Sequence, residues 1–169
     1  MTARSPLAAC LALLSLFAVV PASASDADGA WRALAALSGD WRLAEARTPA
    51  QQAFRIRYRL ISRDTALVET FGDPARQVTE TLYHRDGERL LATHYCAQGN
   101  QPRLRLRADA ERRVLLFEFL DATNLQRTRD AHLVRLRFDF SDPRRLVREE
   151  VYAEDGREDA STLTLVRAD

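Results

Sequence analysis

Lysine is absent from this sequence: all 25 cationic side chains are arginine, set against 24 aspartates and glutamates. That bias reports on the base composition of the coding sequence more than on any task of the side chain. An excess of either sign is lacking too. Setting Arg4 aside with the N-terminal segment leaves 24 arginines against 24 acids. A net charge this close to zero withholds the basic face that nucleic-acid binding requires, so no nucleic-acid partner is expected. Cysteine is scarce, with only Cys10 and Cys96. Long apolar runs are missing as well. The longest, Leu7 to Val20, has 14 residues. As a helix it reaches about 21 Å, against a hydrocarbon core of about 30 Å, so no stable membrane anchor is expected. There is no internal repeat or low-complexity tract.

Residues 1–24 have the three parts of a cleaved signal peptide: Arg4 at the positive end, the apolar stretch, and Ala22-Ser23-Ala24 as the small-residue cleavage site. Leu7-Ala8-Ala9-Cys10 looks like a lipobox, but there the apolar stretch precedes the cysteine, whereas here it mostly follows. Export to the periplasm or beyond is the expectation, with residues 25–169 as one mature domain. Removing Cys10 leaves Cys96 alone, without an intramolecular disulfide, and a lone cysteine in an oxidising compartment is expected to be buried.

Residues 26–37 read as a short helix, capped by Asp26 or Asp28, with Trp31, Leu34 and Leu37 at helical spacing and Gly39 as its stop. Beyond Gly39 the period becomes two. Over 52–62, Phe54, Ile56, Tyr58 and Leu60 alternate with Arg55, Arg57 and Arg59, and only a strand separates those sets onto opposite faces. Burying three unpartnered arginines would cost several kcal/mol or more, so the apolar set points inward. His132, Val134, Leu136, Phe138 and Phe140 repeat the pattern, which would turn His132 inward. Further strands are expected over 40–46, 65–71, 77–84, 88–97, 103–108, 113–120, 145–153 and 159–167. Turn residues separate them, among them Arg63-Asp64, Asp86-Gly87 and Asp155-Gly156. About ten short strands after one helix predict an all-β fold, an antiparallel up-and-down barrel whose closure removes sheet edges. Asp121 to Asp130 is the longest unpatterned piece, a loop that can lie across one mouth.

The helix running into Leu37-Ser38-Gly39-Asp40-Trp41, followed by these strands, resembles the lipocalin-like (calycin) superfamily, in which a Gly-x-Trp on the first strand closes the barrel base. Thr93 to Arg103 also looks like a segment of secreted bacterial proteins of uncharacterised function. The resemblance implies a cavity for apolar or mixed small molecules without naming a ligand. One branch, the nitrobindins, holds haem through a histidine. Those proteins carry further glycines where Leu43 and Ala44 stand here, and His84, His94 and His132 match no ligand pattern, so haem is a runner-up and the cofactor stays open.

Inward polar groups are the candidate site. An Arg63-Asp64 turn sets Tyr58 opposite Glu69, and a carboxylate there needs an inward Arg or Tyr as partner. A two-residue Asp86-Gly87 loop would pair 85 with 88 and place His94 and Cys96 beside Thr79, Thr81 and Tyr83. A three-residue loop would pair 84 with 88 and place them beside Val78, Glu80 and Leu82. The second is preferred for its mostly apolar face, with Glu80, His94 and Cys96 set into it. His94 and Cys96 share a face in either case, with side chains about 7 Å apart, too far for direct proton transfer. No paired Cys or His motif offers the four ligands of a structural zinc site, and no metal is expected. Asn100, Gln101 and Arg103 bring hydrogen-bond donors to a turn, and Asn124 does so from the long loop. The ligand set is thus Tyr58, Glu69, Glu80, His94, Cys96, Asn100, Gln101, Arg103, Asn124 and His132.

Three functions follow in order: an exported protein holding a small molecule in its barrel; an enzyme using His94, Glu80 or Cys96 in that cavity; and a partner-binding module without a ligand. Oligomeric state is open.

Overall fold

A computed structural model describes residues 26–73, 75, 79–107, 113–126 and 130–168. The leader assigned to 1–24 lies outside the described residues. Helix α1 (Asp26–Ala35) precedes ten strands: β1 (Gly39–Leu43), β2 (Arg55–Ile61), β3 (Ala66–Gly72), β4 (Thr79–Asp86), β5 (Arg89–Tyr95), β6 (Gln101–Leu106), β7 (Val114–Thr123), β8 (His132–Asp139), β9 (Leu146–Glu154) and β10 (Arg157–Arg167). Each pairs antiparallel with the next, and β10 returns to β1, so the sheet closes in the up-and-down order expected. Among the described residues no helix is long and apolar enough to cross a membrane.

Period two decides the inside of β2. Ile56 and Tyr58 are buried, while Arg57 and Arg59 are exposed. Register at the β2–β3 hairpin is the expected one, with Tyr58 opposite Glu69 and Leu60 opposite Leu67. Arg63 and Asp64 take φ of 57° and 63°, the left-handed pair that a tight turn between right-twisted strands demands. The strand starts later than alternation suggested. Gln52 and Ala53 belong to a short helix, α2 (Pro49–Ala53). Thr48 and Gln51 cap each other's backbone N–H groups and Pro49 sits at the first turn, and these local bonds outweigh a two-residue extension of the strand.

Two expectations about facing are corrected. The β4–β5 hairpin turns at Gly87-Glu88, pairing Asp86 with Arg89: a two-residue loop one residue later than Asp86-Gly87, which keeps the facing of that register and overturns the preferred three-residue one. Gly87, at φ 59°, supplies the left-handed position. This parity buries Thr81, Tyr83, Ala92 and His94 and leaves Glu80 exposed opposite Tyr95. The alternative would have taken the Glu80 carboxylate out of water, which is costly without a cation beside it. In β8 the register slips between Leu133 and Arg135. Leu133, Leu136 and Phe138 therefore fill the core, and His132 is out of phase with them. A bulge adds one residue and reverses parity on one side of itself.

Hairpins β2–β3 and β4–β5 lie at the end covered by α1, where Arg85 pairs with Asp28. Trp41 plugs this base. Its Nε1 donates to the Leu37 carbonyl at 2.8 Å, and the Arg167 guanidinium lies 4.4 Å over its ring. Arg167 also donates to the carbonyls of Ala36, Leu37 and Ser38, which the end of α1 leaves without helical partners. Above Trp41, Tyr83, Phe117 and Phe138 meet edge to face, with centroids 5.7 to 6.4 Å apart. These side chains pack the barrel interior at the base, and a hollow of about 510 Å³ lies at its edge, lined among others by Leu37, Trp41, Phe140 and Arg167.

Gly39 lets the helix run directly into β1. Its φ is 120°, and a Cβ there would lie 2.8 Å from the Arg167 guanidinium nitrogen. Gly39→Ala is expected to destabilise the fold by about 2 kcal/mol in urea unfolding. A loss below ~0.5 kcal/mol would show that the base does not depend on this approach.

Candidate functional site

Register, not sequence proximity, assembles the polar interior. Tyr58, Glu69, Thr81 and His94 are directly opposite neighbours on β2, β3, β4 and β5, forming one inward row across four strands. A second series, Arg148, Glu150 and Tyr152, runs along β9 at a spacing of two and so shares one face of that strand. Row and series meet across the barrel.

Glu69 is fully buried. Arg148, 1% exposed, donates to it from Nη2 at 2.7 Å and from Nε at 3.4 Å, and the Tyr83 hydroxyl donates at 2.9 Å. The second terminal nitrogen of Arg148 donates to Glu150 at 2.8 Å. Its guanidinium also lies 4.9 Å from the Phe71 ring centroid. Sequence reasoning required an inward Arg or Tyr beside Glu69, and the fold supplies both. Burial works against the charge of Arg148, but the carboxylates of Glu69 and Glu150 outweigh it and raise its pKa well above the usual value. Burial, followed by the charge of Glu69, pushes the hydroxyls of Tyr58 and Tyr83 well up, so both keep their protons. The Tyr58 hydroxyl is within range of the Glu69 and Arg148 charges but makes no hydrogen bond.

His94 forms the next level. Its Nδ1 lies 2.9 Å from the Thr81 hydroxyl and its Nε2 lies 3.0 Å from the Tyr152 hydroxyl. Burial lowers its pKa to about 4; Glu69 pulls upward and Arg148 downward. The ring is therefore neutral at pH 7, donating at one nitrogen and accepting at the other. With both nitrogens engaged, a haem iron or other metal would have to displace Thr81 or Tyr152. Among the described residues no three His, Cys, Asp or Glu side chains converge as a metal site needs.

The other expected site residues divide between the mouth and the outer wall. Cys96 is buried and bonded to the Gln98 side-chain oxygen, and burial pushes its thiol up, away from the reactive thiolate. Asn100, 3% exposed, donates from Nδ2 to the Ala131 carbonyl at 2.9 Å. Gln101 donates to the Gly99 carbonyl and accepts from Thr123. Asn124 donates to that same Gly99 carbonyl at 2.7 Å. Arg103 is exposed and doubly bonded to Asp121, outside the barrel. Glu80 accepts from Thr70 on the outer face, so it does not join His94 and Cys96. His132 is buried against Phe119 and bonded to the Asp130 carbonyl at 2.6 Å, away from the inward row.

Two adjoining hollows open at the end opposite α1, of about 510 Å³ and 450 Å³. They share Gln98, Ala131, Glu154 and Asp155; Asn100 and Asn124 line the first and Tyr152 the second. Tyr152 therefore links the open end to His94. Arg148, Glu150 and Tyr152 were not singled out from the sequence, and Thr81 and Tyr83 came beside His94 only in the hairpin register that was not preferred. In Leu146 to Tyr152 both parities mix apolar and charged residues, so alternation could not say which side faced in.

Removing one partner of a buried ion pair leaves the other charge stranded. Arg148→Leu is expected to cost about 4 kcal/mol in urea unfolding, and Glu69→Leu/Arg148→Leu to recover at least half of it. A single variant as stable as the parent would deny the pair its structural role. For His94, unfolding returns the ring to its ordinary pKa of 6.5, so the unfolded chain takes up a proton between pH 6.5 and about 4 that the folded one refuses. Stability should fall by about 3 kcal/mol as pH drops through that window. His94→Gln should flatten the decline, and an unchanged slope would count against the buried neutral ring.

Compared with known proteins, the sequence matches no family model and no curated protein. The closed ten-stranded antiparallel barrel fits a lipocalin-like architecture.

Proposed function

We propose that this is an exported, lipocalin-like small-molecule-binding protein that takes its ligand at the open end of the barrel. The observation carrying this reading is the pair of adjoining hollows there, of a size typical for small-molecule sites. Their walls are loops and strand ends, and Tyr152 joins them to the buried His94–Thr81 pair. Inside the barrel, Tyr83, Phe117 and Phe138 fill the base half above Trp41, and a further hollow of about 510 Å³ at that end is lined by the end of α1 and the 140–146 segment. A rigid polar interior beneath an open rim suits binding: the floor groups are held by packing before a ligand arrives, which lowers the ordering cost of association. The leader-like residues 1–24 direct this activity to the periplasm or outside the cell.

Ala131 belongs to both hollows and is half-buried, so a large side chain there would obstruct them without touching the polar interior. Native mass spectrometry of the protein purified from its own host, with an absorbance scan for haem, is the test. A small-molecule adduct is expected on the parent protein and not on Ala131→Trp. Bare protein mass in both, or an adduct indifferent to the tryptophan, would refute the reading.

A further inference from the structure

The turn at 99–103 entered the site as a source of hydrogen-bond donors, and in the folded protein those donors are already engaged. Asn100 Nδ2 holds the Ala131 carbonyl, Gln101 Nε2 and Asn124 Nδ2 both hold the Gly99 carbonyl, and the Arg103 guanidinium holds Asp121 on the outer wall. Acceptors remain. Asn100 Oδ1 has no partner, on a side chain that is 3% exposed and lines the larger hollow. Its orientation is fixed, because exchanging the amide oxygen and nitrogen would set oxygen against the Ala131 carbonyl. A buried acceptor left unsatisfied costs about 1–3 kcal/mol, which a donor arriving from the hollow would recover.

Among the described residues, charge at this end is mostly negative. Glu154 and Asp155 line both hollows, and neither carries an ion pair among the described residues. Among the described residues no basic side chain lines the larger one. The smaller adds Asp159, Arg157, and Glu158, the last already paired with Arg135. Nothing from below offsets this. Arg148 is held by both Glu69 and Glu150. Tyr152 also lines the smaller hollow, an aromatic ring of the kind to which an ammonium is attracted.

Resting on the mouth as the binding site, we infer that its ligand is a small cation, an amine or ammonium compound that donates to Asn100 Oδ1 and pairs with Glu154 and Asp155. Anions are repelled by the same carboxylates, and neutral acceptors find no free donor on Asn100. The pairing is solvent-facing, so binding weakens as salt rises.

Amide-resolved NMR titration of the full protein separates this inference from the reading beneath it. The probes are 1,4-diaminobutane, butane-1,4-diol and butanedioate, equal in chain length and different in charge. Only the diamine is expected to shift the amides of residues 98–101, 130–131 and 152–156, with Kd rising in added sodium chloride. Glu154→Gln should weaken it about threefold and Glu154→Gln/Asp155→Asn about tenfold, each variant retaining the parent melting curve. The diol or dicarboxylate shifting those amides as strongly as the diamine would overturn the cation preference and leave the mouth as a binding site. Diamine binding unchanged in the double variant would overturn the role of the two carboxylates. If none of the probes moved these amides, both the preference and the site would fall.

Discussion

The contact between Glu69 and Arg148 is the one on which the interior depends. Two ions taken out of water are stabilised only when their geometry is good and their remaining hydrogen-bonding capacity is met. Here the carboxylate accepts from two guanidinium nitrogens and a tyrosine, and the guanidinium also reaches Glu150. β3 and β9 are not neighbours in the sheet, so the pair bridges the barrel across its interior. A slip of one residue in either strand would turn one ion out to solvent and strand the other. The pair thus penalises wrong registers more than it adds to net stability.

The barrel divides around this bridge. Toward α1, the plug of Trp41 under Arg167 and the three aromatic rings make a packed base. Away from it, the interior turns polar by degrees, through neutral His94 and Tyr152 to a rim where amide donors are bound to backbone carbonyls. Outside, the arginines that alternate along the strands meet acids on neighbouring strands, as Arg57 does Asp40 and Arg107 does Glu118. Such exposed pairs contribute little each, about 0–1 kcal/mol, but they keep the outer wall solvated.

How much could be read in advance follows from where the code was redundant. In β2 every inward position is apolar or aromatic and every intervening one is arginine, so facing and register were both legible, including Tyr58 opposite Glu69. In β9 Val147 and Val151 lie on one parity with Glu149, and Leu146 and Tyr152 on the other with Arg148 and Glu150. Each face mixes apolar and charged residues, so the two were indistinguishable. The Asp86-Gly87 hairpin failed for a related reason. Gly87 serves as the first residue of a two-residue turn rather than the last of a three-residue one, and that change of loop length carries Glu80 from the proposed cavity to the surface.

Taken alone, the sequence determined the strand count, the helix in front, and the need of Glu69 for a cation or phenol, because period two and the cost of a lone buried charge are local facts; the closing role of Gly39 and Trp41 was what the lipocalin-like resemblance implied. Tertiary structure alone decided that the partner is Arg148, that Tyr152 joins Thr81 in holding His94, and which hairpin parity sets Glu80 outside. Those outcomes depend on the register of strands distant in sequence, and on bulges that reverse parity at a single residue. Neither leaves a mark in the pattern of any one segment.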